Sequence, residues 1–160
     1  MCDKTQIPEI GEYIADFTAH DQHGAVVSLE RLRRQTAVLV VFIPYAFSGI
    51  CQGELDEIRD NYEQFRSEHV QTVVVSTDSM FTLRAWGYQN GFEFPLLSDF
   101  WPHGGIAKAF GVFDESAGTA IRGTFLIDPS GVLQWKMITP AGQRRDFSAY
   151  RQALGVLIGE

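Results

Sequence analysis

The run Ala37-Val38-Leu39-Val40-Val41-Phe42-Ile43 constrains the fold more than any other stretch of this chain. A strand sends successive side chains to opposite faces. A run with no polar residue must therefore be covered on both of them, as a central strand of a helix-flanked sheet is. A second β-branched run, Val70-Gln71-Thr72-Val73-Val74-Val75-Ser76, follows. Between the two, Leu55, Ile58, Tyr62 and Phe65 recur at a spacing that places them on one helical face.

The remaining segments extend this pattern. Residues 1–12 read as a loose leading arm. Asp16-Phe17-Thr18 and Val26-Val27-Ser28-Leu29 flank the turn-rich Asp21-Gln22-His23-Gly24, which predicts a small hairpin. Asp78 or Ser79 can cap a helix that runs to about Gln89 and closes at Asn90-Gly91. Pro95-Leu96-Leu97-Ser98 reads as a short strand and 104–110 as a short helix. Arg122–Asp128 and Val132–Met137 read as strands joined at Pro129-Ser130-Gly131. A last helix over 146–158 places Phe147, Tyr150, Leu154 and Leu157 on one face. The order β-α-β-α, hairpin, helix predicts an α/β protein with a mixed central sheet flanked by helices on both faces, and by analogy of element order it resembles the thioredoxin-like arrangement. With 160 residues and no repeat or linker-like tract, one domain spanning 1–160 is expected.

Charge narrows the partners. The chain holds 13 basic and 20 acidic residues, a formal charge of −7. Nucleic acids and anionic membranes both ask for a basic face, so neither is expected as a partner. No stretch approaches the length of a membrane-spanning helix, and Met1-Cys2-Asp3-Lys4-Thr5-Gln6 lacks the apolar core of a signal peptide. A cytoplasmic location is the expectation.

Cys51 follows the apolar strand across Pro44-Tyr45-Ala46-Phe47-Ser48-Gly49-Ile50 and stands at or just inside the first turn of the next helix. Unpaired N–H groups and the positive end of the helix dipole favour an anion there, so the position favours the nucleophilic thiolate. Position alone leaves a second reading open, since many unpaired cysteines are inert small hydrophobes. The neighbours bear on the choice. Pro44 offers no N–H and can wall a pocket. Ser48, three residues before Cys51, carries a hydroxyl that both donates and accepts. Phe47 can contact a substrate or simply pack. Glu54 lies one turn beyond Cys51, and Gly49 and Gly53 leave room for close backbone approach.

Pro44-Tyr45-Ala46-Phe47-Ser48-Gly49-Ile50-Cys51 resembles the peroxiredoxin pattern Pro-x-x-x-Thr/Ser-x-x-Cys. Phe94-Pro95-Leu96-Leu97-Ser98-Asp99 and Arg122-Gly123-Thr124-Phe125-Leu126-Ile127-Asp128 match that family in the same order. Gly49-Ile50-Cys51-Gln52-Gly53-Glu54-Leu55-Asp56 and Leu97-Ser98-Asp99-Phe100-Trp101-Pro102-His103-Gly104 are similar to the one-cysteine, alkyl hydroperoxide reductase E-type members of actinobacteria. The resemblance runs from Ala15 to the last helix.

This resemblance implies a thiol-dependent peroxidase without metal, haem or flavin, acting on hydrogen peroxide, organic hydroperoxides or peroxynitrite. Cys51 would be the peroxidatic cysteine, passing through a sulfenic acid. Ser48 would hydrogen-bond the peroxide, Pro44 would shield the sulfur, and Arg122 would stabilise the thiolate and the leaving oxygen. Backbone N–H groups near Gly49 and Ile50 would complete the cradle, and Glu54 would orient Arg122. Phe47 is a candidate substrate contact. Taken alone, Arg122 reads as an ordinary surface cation, and Arg144-Arg145 as a solvated pair. Cys2 matches no resolving position, so the implied reductant is external: a low-molecular-weight thiol such as mycothiol with a glutaredoxin-like mycoredoxin. A homodimer is implied, with the Phe100-Trp101-His103 loop near its interface. His20 and His23 lack further ligands at metal-binding spacing. A disulfide oxidoreductase would want a cysteine where Ser48 stands. A non-catalytic redox sensor remains the alternative, separable only by turnover.

Overall fold

Ala37–Phe42 forms a strand in which every residue is buried. The structure, a computed structural model, describes residues 6–140 and 142–157. In chain order its elements are β1 (Thr18–His20), β2 (Val26–Ser28), α1 (Leu29–Arg33), β3 (Ala37–Phe42), α2 (Gly49–Asp60), α3 (Tyr62–Phe65), β4 (Val70–Ser76), α4 (Met80–Asn90), β5 (Leu96–Ser98), α5 (Gly105–Ala109), β6 (Phe113–Asp114), β7 (Thr119–Ala120), β8 (Arg122–Ile127), β9 (Leu133–Thr139) and α6 (Phe147–Leu157). Seven strands make one sheet in the order β2-β1-β5-β4-β3-β8-β9, and β6 and β7 pair separately. β3 runs parallel to β4, from Ala37 opposite Val70 to Phe42 opposite Val75, and antiparallel to β8. The sheet is therefore mixed, with its parallel pairs β3–β4 and β4–β5 bridged by helical crossovers.

The period of two along β3 divides the interior. Leu39, Val41 and Ile43 pack with Leu55 and Ile58 of α2, Leu83 and Trp86 of α4, and Tyr150 and Ala153 of α6. Val38, Val40 and Phe42 pack on the other face with Leu29 of α1 and with Ile106, Ala107 and Phe110 around α5. Full burial of one such side chain is worth roughly 1.5–3 kcal/mol. The two cores together hold β3 in place, and with it the loop that leaves its carboxyl end.

The helix signals operate as the residue chemistry demands. Of the two candidate caps for α4, Ser79 is the one used: its hydroxyl accepts from Thr82 N–H at 3.2 Å, and Gly91 closes the helix at φ 66°. Several expectations change. The arm is tied down from residue 8 onward, because Lys136 Nζ donates to Pro8 O at 2.9 Å and Gly11 N–H to Leu133 O at 2.8 Å. Ser28 ends its strand early by capping α1. The amphipathic stretch breaks at Asn61 into α2 and α3. The β6–β7 hairpin has two-residue strands, too short to show any period. Cys2 and the side chain of Leu157 lie outside the described residues.

Gly104 seats that hairpin. It adopts φ 69°, and a Cβ there would stand 2.3 Å from both Cδ1 and Cε1 of Phe113. Gly104→Ala is expected to cost about 1–3 kcal/mol from overpacking and the left-handed backbone. Urea unfolding monitored by circular dichroism should show this as a lowered midpoint.

Candidate active site

The loop Pro44–Ser48 leaves the carboxyl end of β3 at the centre of the sheet, where open α/β sheets place their ligands. Phe47 turns the chain into α2 with φ 66°, a left-handed conformation that side-chain-bearing residues rarely adopt. Ser48 then caps the helix: its hydroxyl accepts from Cys51 N–H at 3.4 Å, and its carbonyl accepts from Gln52 N–H at 2.8 Å. Cys51 is the third helical residue and is completely buried. The N–H groups of Gly49 and Ile50 belong to the first turn, which has no intrahelical acceptors for them.

Two neighbours hold this turn. Ala46 N–H donates to Asp78 Oδ2 at 2.8 Å, and Ser76 Oγ donates to the same oxygen. Asp78, one of the two candidate helix caps, thus anchors the loop. From α4, Trp86 Nε1 donates to Gln52 Oε1 at 2.7 Å, while Gln52 Nε2 donates to Asn90 Oδ1 at 2.7 Å. The residue after the cysteine is fixed by a buried tryptophan.

The charges come from α2 itself, from β8 and from the segment before α6. The β3–β8 pairing ends at Val41 opposite Thr124, so Arg122, two residues back along β8, arrives at the carboxyl end of β3. Its Nη2 lies 3.3 Å from Cys51 Sγ, and its Nη1 donates to Glu54 Oε1. Glu54 is buried on α2 and is shared with Arg145, whose Nη1 stands 3.0 Å from each carboxylate oxygen. The backbone N–H of Arg145 also reaches Glu54 Oε2 at 2.9 Å. The Arg145 guanidinium further donates to Thr124 Oγ1 at 2.9 Å, to Gly123 O at 3.2 Å and to Phe42 O. One carboxylate between two guanidiniums leaves a single positive charge, and the sulfur beside Arg122 is placed to balance it when ionised.

Arg122 also faces a cavity of about 470 Å³ whose lining includes Pro44, Ser48, Gly49 and Ile50 on one side and Thr119, Ala120 and Ile121 on the other. A water molecule's share of liquid volume is roughly 30 Å³, so the space exceeds that of a bare two-oxygen peroxide several times over. Arg122, Ser48 and the amino end of α2 line it, and Cys51 Sγ, which is fully buried and not part of the lining, lies against Arg122. Such an arrangement can hold a bipolar substrate and stabilise negative charge on a departing oxygen.

Two expectations need correction. Phe47 does not line the cavity; its ring is half-exposed and lies 6.0 Å, centroid to centroid, from that of Trp86. Arg145 is not solvated: it is 4% exposed and ion-paired, whereas Arg144 stays at the surface on Glu57 and the Gly53 carbonyl. Nothing in the local sequence separates the two adjacent arginines, because only the fold decides which one meets Glu54. His20, His23 and the Phe100–His103 loop lie away from the cavity lining.

Removing the shared carboxylate tests this charge balance. Glu54→Gln leaves two buried guanidiniums facing each other and is expected to destabilise the fold by roughly 3–5 kcal/mol. Equilibrium urea unfolding would measure the loss, and single-turnover oxidation of Cys51 should slow in parallel.

Comparison with known proteins places this geometry. Residues 10–136 match the family model described as AhpC/TSA family. Over 148 residues the chain is 44% identical to alkyl hydroperoxide reductase E of Mycobacterium tuberculosis, covering 92% of this chain and 97% of that protein. The crystal structure of peroxidoxin BcpB from Mycobacterium tuberculosis superposes with a TM-score of 0.82 at 28% identity, over 94% of this chain and 96% of that one. Enterococcus faecalis AhpC gives a TM-score of 0.82 at 28% identity, over 92% and 90% of the two chains. With its thioredoxin-like sheet and a cysteine at the amino end of α2, the chain belongs to the AhpC/TSA family, the peroxiredoxins that its motifs resemble.

Proposed function

We propose that this chain is a thiol-dependent peroxidase whose reacting atom is Cys51 Sγ, in one domain spanning the chain. The observation that carries the reading is the 3.3 Å approach to that sulfur of Nη2 of Arg122, a residue that also lines an open cavity. The thiolate attacks the terminal oxygen of a hydroperoxide. An S–O bond forms, the O–O bond breaks, and the departing alkoxide or hydroxide takes up a proton. Cys51 becomes a sulfenic acid. Arg122 and the N–H groups of Gly49 and Ile50 face the charge that develops, Ser48 donates to the peroxide, and Pro44 walls the sulfur from water. Glu54 is a positioning residue that holds Arg122, and Arg145 holds Glu54 in turn.

An external thiol then closes the cycle. It condenses with the sulfenic acid to a mixed disulfide, releasing water, and a second thiol equivalent restores Cys51. Mycothiol with a mycoredoxin-like protein fits this role for an actinobacterial-type chain. No described helix is long and apolar enough to cross a membrane, which is consistent with a cytoplasmic enzyme. The Phe100-Trp101 loop, with Trp101 82% exposed, suits the contact of a homodimer.

The test mixes pre-reduced protein with one equivalent of hydrogen peroxide and follows tryptophan emission in stopped flow, with trapping and peptide mass spectrometry. Rapid formation of a sulfenic acid on Cys51, absent in Cys51→Ser, is the expected result. Oxidation no faster than that of a small thiol would overturn the assignment. Arg122→Met should slow the step by about 10²–10³-fold, the usual loss for one donor to a developing oxyanion. Cys2→Ser should keep full turnover with external thiol; its loss would show that Cys2 resolves the sulfenic acid.

A further inference from the structure

Among the described residues, Phe47 alone carries a side chain on a left-handed backbone, φ 66°. A Cβ disfavours that conformation, so it persists only where neighbouring contacts over-determine it. Side-chain packing supplies part of this and no more, since the ring is half-exposed and leans on Trp86. The remainder must come through the backbone of the loop.

Ala46 N–H, one residue before Phe47, donates to Asp78 Oδ2 at 2.8 Å. Among the described residues it is the one hydrogen bond that Tyr45, Ala46 or Phe47 donates. A carboxylate acceptor makes that bond stronger than one between neutral groups. The acceptor is itself held. Ser76 Oγ donates to the same Oδ2, Asp78 N–H donates to Ser76 Oγ at 3.1 Å, and Asp78 O accepts from Ser98 Oγ at 2.7 Å. Ser76 ends β4 and Ser98 ends β5, and the two stand opposite each other in the parallel register. Asp78 therefore ties the loop after β3 to the ends of two neighbouring strands.

From this juxtaposition we infer that Asp78 is a positioning residue for peroxide reduction: it holds Phe47 in its left-handed turn, and through that turn sets Pro44 and Ser48. The inference deepens the peroxidase reading and rests on it. The Asp78 carboxylate bonds Ala46 and Ser76 and neither Cys51 nor Arg122, so its effect passes through the backbone. The turn at Phe47 sets where the chain enters α2. Ser48, the next residue, caps Cys51 N–H and carries the hydroxyl that meets the substrate in the proposed reaction. Without the carboxylate the turn relaxes toward negative φ, and Ser48 leaves its place. A residue without Cβ takes positive φ as readily as negative, and there the anchor would matter little.

The experiment is a double-mutant cycle. Wild type, Asp78→Ala, Phe47→Gly and the double variant are pre-reduced and mixed with hydrogen peroxide in single-turnover stopped flow. The rate constant for Cys51 sulfenic acid formation is read for each, and urea midpoints are measured alongside. Asp78→Ala is expected to slow the step about 5- to 30-fold, the factor by which left-handed strain disfavours the turn. In the Phe47→Gly background the same substitution should cost about two-fold or less. Asp78→Asn, which keeps an acceptor oxygen for Ala46, should recover most of the rate lost in Asp78→Ala. If Asp78→Ala does not fold, Asp78→Glu, which displaces the acceptor by a methylene, carries the same comparison. A purely structural anchor would lower the urea midpoint and leave the rate of the folded protein unchanged. That result, or a loss that Phe47→Gly does not reduce, would overturn the role of Asp78. Failure of the wild type to form the Cys51 sulfenic acid would instead bring down the peroxidase reading, and this inference with it.

Discussion

The carboxylate of Glu54, held between Arg122 and Arg145, is the interaction on which the rest of the site depends. Three ionised groups with side chains at most 6% exposed would be prohibitive singly. Together they satisfy one another, and Arg145 also occupies the carbonyls of Phe42 and Gly123 just beyond the point where the β3–β8 ladder stops. The network joins the end of the central strand, its antiparallel neighbour, the helix that carries the cysteine and the segment before α6. Position and charge are set by the same atoms.

That arrangement surrounds a buried sulfur with positive charge: a guanidinium at 3.3 Å, one positive charge left over from the triad, and the amino end of α2. The first turn of α2 is held from both sides, by Asp78 through Ala46 and by Trp86 through Gln52. In the proposed reaction a preorganised site of this kind would not have to rearrange its dipoles as charge moves onto the leaving oxygen.

Much of this was legible before any coordinates. The apolar run at 37–43 required two covered faces, and the alternation of Leu39, Val41 and Ile43 against Val38, Val40 and Phe42 supplies them. Ser48, Cys51 and the helix start were readable because capping and helix-terminus chemistry are local. Arg122, and the role of Glu54 in orienting it, come only through a motif resemblance, because no local rule ties residues 68 positions apart. The β6–β7 hairpin, which supplies a wall of the cavity, left no signal, since two-residue strands carry no period. The place of Phe47 in the loop is readable, but its left-handed φ and the lie of its ring beside Trp86 are not.

The sequence by itself determined the layered α/β plan, the strand-to-helix turn that carries Cys51, and the family, because these follow from periodicity, capping and contiguous motifs. The tertiary structure alone decided which of two adjacent arginines is buried, which carboxylate anchors the active loop, and which wall faces Arg122. Those choices turn on long-range register and on the mutual satisfaction of buried charges. Neither quantity exists until the strands have paired.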